Sequence, residues 1–222
     1  MNLIDTFFNG AVLSLIWPLL LQGLWLTVKL AIVIVPLSAV FGLLIACLHY
    51  QKHKILNVFL LLYVDFFRAF PPLVLLIFIY YGFPFLGLHF NEFSATVLAL
   101  VLNGSSYFAE IFRAGLESVD SGQNEAARST GLKASQALAY VIVPQGTRNV
   151  IPDLASNTLE AIKQTSIASA VALPELLRVA QIAQGQTYSQ TPLIAAALIY
   201  LVLLWPLVRA ISRMQKPVMI PH

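Results

Sequence analysis

The chain has 222 residues, of which 59% are hydrophobic and only 10% charged, and its formal net charge is +3. A soluble globular domain carries about a quarter of its residues as charges, so this composition excludes one. The small, dispersed positive balance likewise excludes a nucleic-acid surface. With a mean hydropathy of +0.80 and apolar runs longer than the ~20 residues of a membrane-crossing helix, the chain is expected to be an all-α, polytopic membrane protein, a single domain over residues 1–222. Cys47 is the one cysteine and reads as a small buried filler with no disulfide partner. No Lys or Arg precedes Lys29, so no cleavable signal is expected.

Leu3, Ile4, Phe7, Phe8 and Val12 recur at helical spacing among Asp5, Thr6, Asn9 and Ser14. That pattern predicts an interfacial amphipathic helix over 2–16, within an N-terminal segment 1–18 that Trp17-Pro18 ends. A first span covers about Trp25 to Tyr50, with Pro36 as a kink. After the polar hairpin His49, Lys52, His53 and Lys54, a second span covers about Ile55 to Phe83, interrupted by Asp65, Arg68 and Pro71-Pro72. The loop Pro84 to Glu92 has no Lys or Arg, and a third span runs from about Phe93 to Leu116. A fourth, polar span covers about Asn149 to Leu173. Pro174 to Ser189 reads as an amphipathic extramembrane helix, with Leu176, Leu177, Val179, Ala180 and Ala183 on its apolar side. A fifth span covers about Pro192 to Ile211.

Five spans place Lys52, Lys54, Arg113, Arg128, Lys133, Arg148, Arg209, Arg213 and Lys216 on one side and only Arg178 clearly on the other. The positive-inside rule then puts the N-terminus outside and the C-terminus and the 120–144 loop in the cytoplasm. Four or six spans would split the cations.

Ionisable groups inside a bilayer need protein or water around them. Ser156/Asn157, Glu160, Lys163/Gln164 and Ile167 recur at three- and four-residue steps, forming one polar stripe in which Glu160 and Lys163 can pair. At 1.5 Å per residue Glu160 and Asn103 both lie roughly 15 Å into the membrane, and Arg68 roughly 20 Å. With Ser105 beside Asn103, Arg68, Asn103, Ser105, Asn157, Glu160, Lys163 and Gln164 are the candidate substrate-pathway residues. The alternative is that they bond to neighbouring helices and fix the packing. Tyr80, Tyr81, Trp17 and Trp205 read as interfacial anchors. His49, His53, His89 and His222 show no ligand spacing, and no metal site is expected.

The longest polar interruption is Asp120 to Pro144. Asp120 or Ser121 can cap a short helix whose first turn carries Glu125. Gly131 can end that helix in a left-handed conformation. Lys133-Ala134-Ser135 can begin a second helix, which Pro144 closes or kinks. Two short helices hinged at a glycine make a rigid knob suited to another protein's groove. The chain has no nucleophile elbow, phosphate-binding glycine loop or zinc motif, so an enzyme is not expected and any use of ATP must come from a separate subunit. A passive channel or an ion-coupled secondary transporter is the competing function, but it leaves the hinged loop without a task.

Glu125, Ala126 and Ala127, then Gly131, Val141, Val143 and Pro144, also resemble the EAA signature of ABC importer permeases, with valines where isoleucine and leucine are usual. Arg68-Ala69-Phe70-Pro71-Pro72-Leu73 resembles the RGTP-leucine element of the polar amino acid branch, Tyr107 to Arg113 its Y-x-A-E-I-x-R run, and Lys163-Gln164-Thr165-Ser166 its K-D-[ST]-S element. The resemblance implies a type I ABC importer fold with five transmembrane helices. In it Glu125, Ala126, Ala127, Arg128, Gly131 and Pro144 would form the cytoplasmic coupling segment. It also implies a bacterial inner-membrane complex: two permease chains, identical or paired with a sister, a cytoplasmic ATPase dimer carrying ATP and Mg, and a periplasmic or lipid-anchored solute-binding protein. No cofactor is implied on this chain. The solute would be a polar amino acid or a derivative such as an opine. Gln164, standing where an acid is common, removes the case for a strictly cationic one.

Overall fold

The computed structural model describes residues 7–51 and 53–214, and every regular element among them is helical. The first, α1, runs unbroken over Gly10–Tyr50. It is capped by Asn9, whose Oδ1 accepts from the amides of Ala11 and Val12 at 3.0 and 3.2 Å. At about 61 Å it is twice as long as the hydrocarbon layer is thick. Trp17-Pro18, expected to end an interfacial helix, therefore lies inside α1, as does Pro36. Residues 2–6 of that expected helix fall outside the described residues. Spanning helices tolerate such prolines because neighbouring groups re-satisfy the freed carbonyls.

The elements that follow are α2 (Lys54–Ala69) and α3 (Pro72–Ile77), then a wide π turn (Phe78–Gly82) and a 3₁₀ turn (Phe83–Leu86). Next come α4 (Glu92–Glu117), α5 (Ser121–Ser129) and α6 (Ala134–Ala137), with a second π turn (Leu138–Ile142) leading into α7 (Val143–Asn149). Last are α8 (Ile151–Gln164), a 3₁₀ segment (Thr165–Val171), α9 (Leu176–Thr187) and α10 (Thr191–Met214). Among the described residues α1, α4 and α10 are long and apolar enough to cross a membrane. Two broken pairs, 54–69 with 72–86 and 151–171 with 176–187, bring the count to five if each is one span.

Two expectations need correction. The polar stripe keeps its α-helical step only to Gln164, because Ile167 falls in the 3₁₀ segment, where a turn takes three residues. The fourth span is also not one helix. Its 3₁₀ segment stops at Ala172, which takes a left-handed φ of +62 while the amides of Ala172 and Leu173 return to the carbonyls of Ser169 and Ala168. That double closure is a Schellman stop built on alanine where glycine is usual.

The chain divides into two compact units, each discontinuous in sequence. One, here the terminal unit, takes residues up to Val33, Pro72–Leu100 and the chain from Leu159 on. Its core joins Ile16 and Leu20 of α1 to Leu176, Ala180 and Ala183 of α9 and to Ala195 and Ala196 of α10. The helix expected to lie outside the membrane over Pro174–Ser189 is thus packed between two others along its apolar side. Its alanines suit that position, because small residues let helices approach one another closely. Glu175 fixes where α9 begins. Buried completely, it accepts from the amides of Leu177 and Arg178 at 2.9 and 2.8 Å and from the Tyr200 hydroxyl at 2.9 Å. The Leu176 amide donates to Thr27 Oγ1 of α1 at 3.1 Å.

The second, here the loop unit, takes Ile34–Pro71 and Val101–Thr158. Its core gathers Ala46 of α1, Phe108, Phe112 and Leu116 of α4, and Leu138 and Ile142 of the second π turn. The whole polar segment 120–144 belongs to this unit.

Candidate coupling segment and polar pathway residues

Asp120 starts α5 by accepting from the Gly122 amide through Oδ1 at 2.8 Å, so it is Asp120 and not Ser121 that caps. Glu125 then stands in the second turn of the helix rather than the first, which weakens its interaction with the positive end of the dipole. At the far end the Gly131 amide bonds to the Arg128 carbonyl at 3.1 Å and Gly131 takes φ +91, a conformation that penalises any residue with a Cβ. Side chains bridge this hinge. Arg128 Nη1 donates to the Leu132 carbonyl at 3.2 Å, and Gln136 Oε1 accepts from the Lys133 amide at 2.8 Å, starting α6.

The signature residues divide by exposure. Ala127 is buried and anchors α5 to the unit, whereas Glu125, Ala126, Arg128, Gly131 and Pro144 are exposed. Beyond the hinge Ala137, Leu138 and Ile142 are buried in turn. Pro144 does not close the second helix, which continues to Asn149. It lacks the amide that would have met the Tyr140 carbonyl, and the wide turn Leu138–Ile142 falls at that place, absorbing the defect. Tyr140 itself is 71% exposed.

Contacts outside the signature hold this segment to α4. A Cβ on Gly115 would stand 2.5 Å from the Gly146 carbonyl oxygen, and one on Gly146 would stand 2.8 Å from that of Gly115. The backbones of α4 and α7 therefore touch, and only glycine fits on either side. Asn149 Nδ2 donates to Ser118 Oγ at 2.8 Å beside them. Next to α5 opens a cleft of about 720 Å³, with an apolar floor of Leu116 and Leu138 and a rim that includes His49, His53, Glu117 and Asn124. Sequence reasoning singled out neither feature. Glycines inside helical stretches were the available signal for the first.

The pathway candidates form two groups. In the loop unit, Arg68, Asn103 and Ser105 meet where α2 runs along α4. Tyr63 bonds Ser105 across this seam at 2.8 Å. Asn103 Nδ2 donates to the Phe67 carbonyl at 2.6 Å, and the Tyr107 hydroxyl donates to that of Arg68 at 3.2 Å. Asn103 and Ser105 are buried, while Arg68 is exposed with its guanidinium 5.6 Å from the Tyr107 ring centre. On α8, Glu160 and Lys163 form an ion pair at 2.5 Å, with side chains 55% and 49% exposed. Asn157, one turn before, and Gln164, just after, are half-buried.

Residues 38–216 match the family described as binding-protein-dependent transport system inner membrane components. The chain belongs to that family. Its similarity to named members covers nearly the whole length. It is 34% identical over 207 residues to the probable glutamine ABC transporter permease protein GlnP of Bacillus subtilis (strain 168), covering 91% of this chain and 93% of the relative. It is 36% identical over 194 residues to the probable amino-acid ABC transporter permease protein YckA of the same organism, covering 87% and 86%. A crystal structure of an amino acid ABC transporter with histidines superposes with a TM-score of 0.80 at 37% identity, covering 90% of this chain and 94% of the solved one. An inward-facing MetNI methionine ABC transporter shares the fold, with a TM-score of 0.74 at 20% identity. The type I importer permease fold expected from the EAA spacing is the fold of this family member, a multi-pass membrane permease subunit of an ABC importer.

Proposed function

We propose that this permease imports a polar amino acid across a bacterial inner membrane by alternating access, as one of two permease chains driven by a cytoplasmic ATPase dimer and fed by an external binding protein. One observation carries the reading: α5 is anchored through Ala127 while Glu125, Ala126 and Arg128 remain exposed on a helix stopped by a left-handed glycine. That is a knob held firmly from behind and open in front. The cation distribution supports a cytoplasmic 120–144 loop and an external N-terminus. ATP and Mg belong to the partner ATPase. The relatives named for glutamine and amino acids support the solute class, and Gln164, an amide beside the Glu160–Lys163 pair, fits a neutral side chain better than a guanidinium.

The test is ATP-driven uptake by the complex reconstituted with its ATPase and binding protein. Glu125→Lys should weaken ATPase association and import by about tenfold or more without altering insertion. Unchanged import in that variant, or labelling of Ser129→Cys by an impermeant reagent from the outer face, would overturn the reading. Gln164→Asp should raise arginine uptake relative to glutamine, and an unchanged ratio would count against the solute assignment.

A further inference from the structure

α2 ends where its donors run out. The Phe70 amide makes the last bond of the helical ladder, to the Phe66 carbonyl at 3.0 Å. In a continued helix the next two carbonyls, of Phe67 and Arg68, would receive the amides of residues 71 and 72. Both are proline, which has no N–H. A residue before proline is also driven out of helical conformation, as Phe70 is at φ −82 and ψ 124. Two consecutive carbonyls are left over in an apolar segment, where orphaned backbone groups are costly.

Both are met from α4. Asn103 Nδ2 reaches the Phe67 carbonyl at 2.6 Å and lies 3.4 Å from that of Phe70, and the Tyr107 hydroxyl reaches the Arg68 carbonyl. Asn103 and Tyr107 are four residues apart and so share one face of α4. The orientation of Asn103 is not arbitrary. Its Oδ1 is buried without a hydrogen-bond partner, and turning the amide over would set that oxygen against carbonyl oxygens. Tyr107 holds Arg68 twice, by its backbone through the hydroxyl and by its guanidinium over the ring. The same α4 touches α7, the helix that continues from the coupling segment, at Gly115 and Gly146.

We propose that Asn103 and Tyr107 are positioning residues of the transport cycle. By lending α2 the two donors that Pro71 and Pro72 withhold, they tie the break that displays Arg68 to the helix gripped by the coupling segment. A continuous α2 would satisfy the same carbonyls by itself and need no tie. The diproline makes the end of α2 depend on α4, so a push delivered through Gly146 and Gly115 moves Arg68 with it. The consequence for transport rests on the importer reading, whereas the tie itself does not.

Three variants separate a tie from mere satisfaction of the carbonyls: Asn103→Leu with Tyr107→Phe, Pro71→Ala with Pro72→Ala, and all four together. Spin labels at Ala69→Cys and Ala114→Cys in a Cys47→Ala background, with the chain in nanodiscs, should report one narrow distance distribution that broadens in the first variant. An unchanged distribution would overturn the tie, even if the parent complex imported nothing and the importer reading itself failed. In the reconstituted complex, uptake per ATP hydrolysed should fall by about fivefold for each lost hydrogen bond. In the fourfold variant the alanine amides restore the backbone donors, so thermal stability should recover while uptake per ATP stays low. Recovery of both together would show that the side chains only satisfy carbonyls and would overturn the positioning role.

Discussion

The α2–α4 seam and the α8 stripe hold similar polar residues, and the fold uses them in opposite ways. In the seam, Asn103, Ser105 and Ser106 are at most 1% exposed, and their donor groups are spent on carbonyls and hydroxyls within the unit. On α8, Glu160 and Lys163 bond each other and leave about half of each side chain open. A neutral donor can be consumed by a neighbouring backbone at little cost. A half-open ion pair on an apolar chain must instead meet water or another protein, because lipid cannot solvate it. The seam spends its donors inside the unit, and the stripe leaves about half of each charged side chain open.

That contrast breaks or sharpens in a definite order of effect. The buried side extends to Glu175, so Glu175→Leu, which strips two amides of α9 and the Tyr200 hydroxyl of their acceptor, should cost about 3 kcal/mol in a detergent unfolding series. Asn103→Leu, which frees the Phe67 carbonyl, should cost about 2 kcal/mol by the same measurement. Replacing the open pair, Glu160→Gln with Lys163→Met, should change stability by no more than about 1 kcal/mol while ATP-driven uptake drops on the order of tenfold. If that double variant destabilised the chain as much as Asn103→Leu, the two regions would not differ in kind. The smallest effect isolates backbone from chemistry. Ala172→Gly relieves a left-handed alanine at an exposed site and should stabilise the chain by up to about 1 kcal/mol, read as a raised melting midpoint.

Much of this was legible in the residues themselves. Asp120 to Pro144 announced a capped helix, a glycine stop and a second helix, and Asp120 and Gly131 act in those roles. The Glu160–Lys163 pair followed from a three-residue spacing. What misled was proline. Trp17-Pro18 was expected to end a helix and does not, and at Pro144, expected to close or kink one, a π turn precedes the proline and the helix continues, whereas Pro71-Pro72 does end one. A single proline removes one bond, and whether the helix survives depends on groups far away in sequence. Pairing Pro71 and Pro72 with Asn103 and Tyr107 required knowing that α2 and α4 run side by side, although the count of missing donors was there to be made.

Composition, periodicity and the EAA spacing alone determined that this chain is helical, crosses the membrane several times and carries a hinged polar loop. Those properties depend on residues within a few turns of one another and on the dielectric of lipid. Which polar groups are consumed and which stay open was decided only in three dimensions. A carbonyl freed at Phe67 finds its donor 36 residues away at Asn103, and local chemistry carries no record of such a meeting until the helices pack.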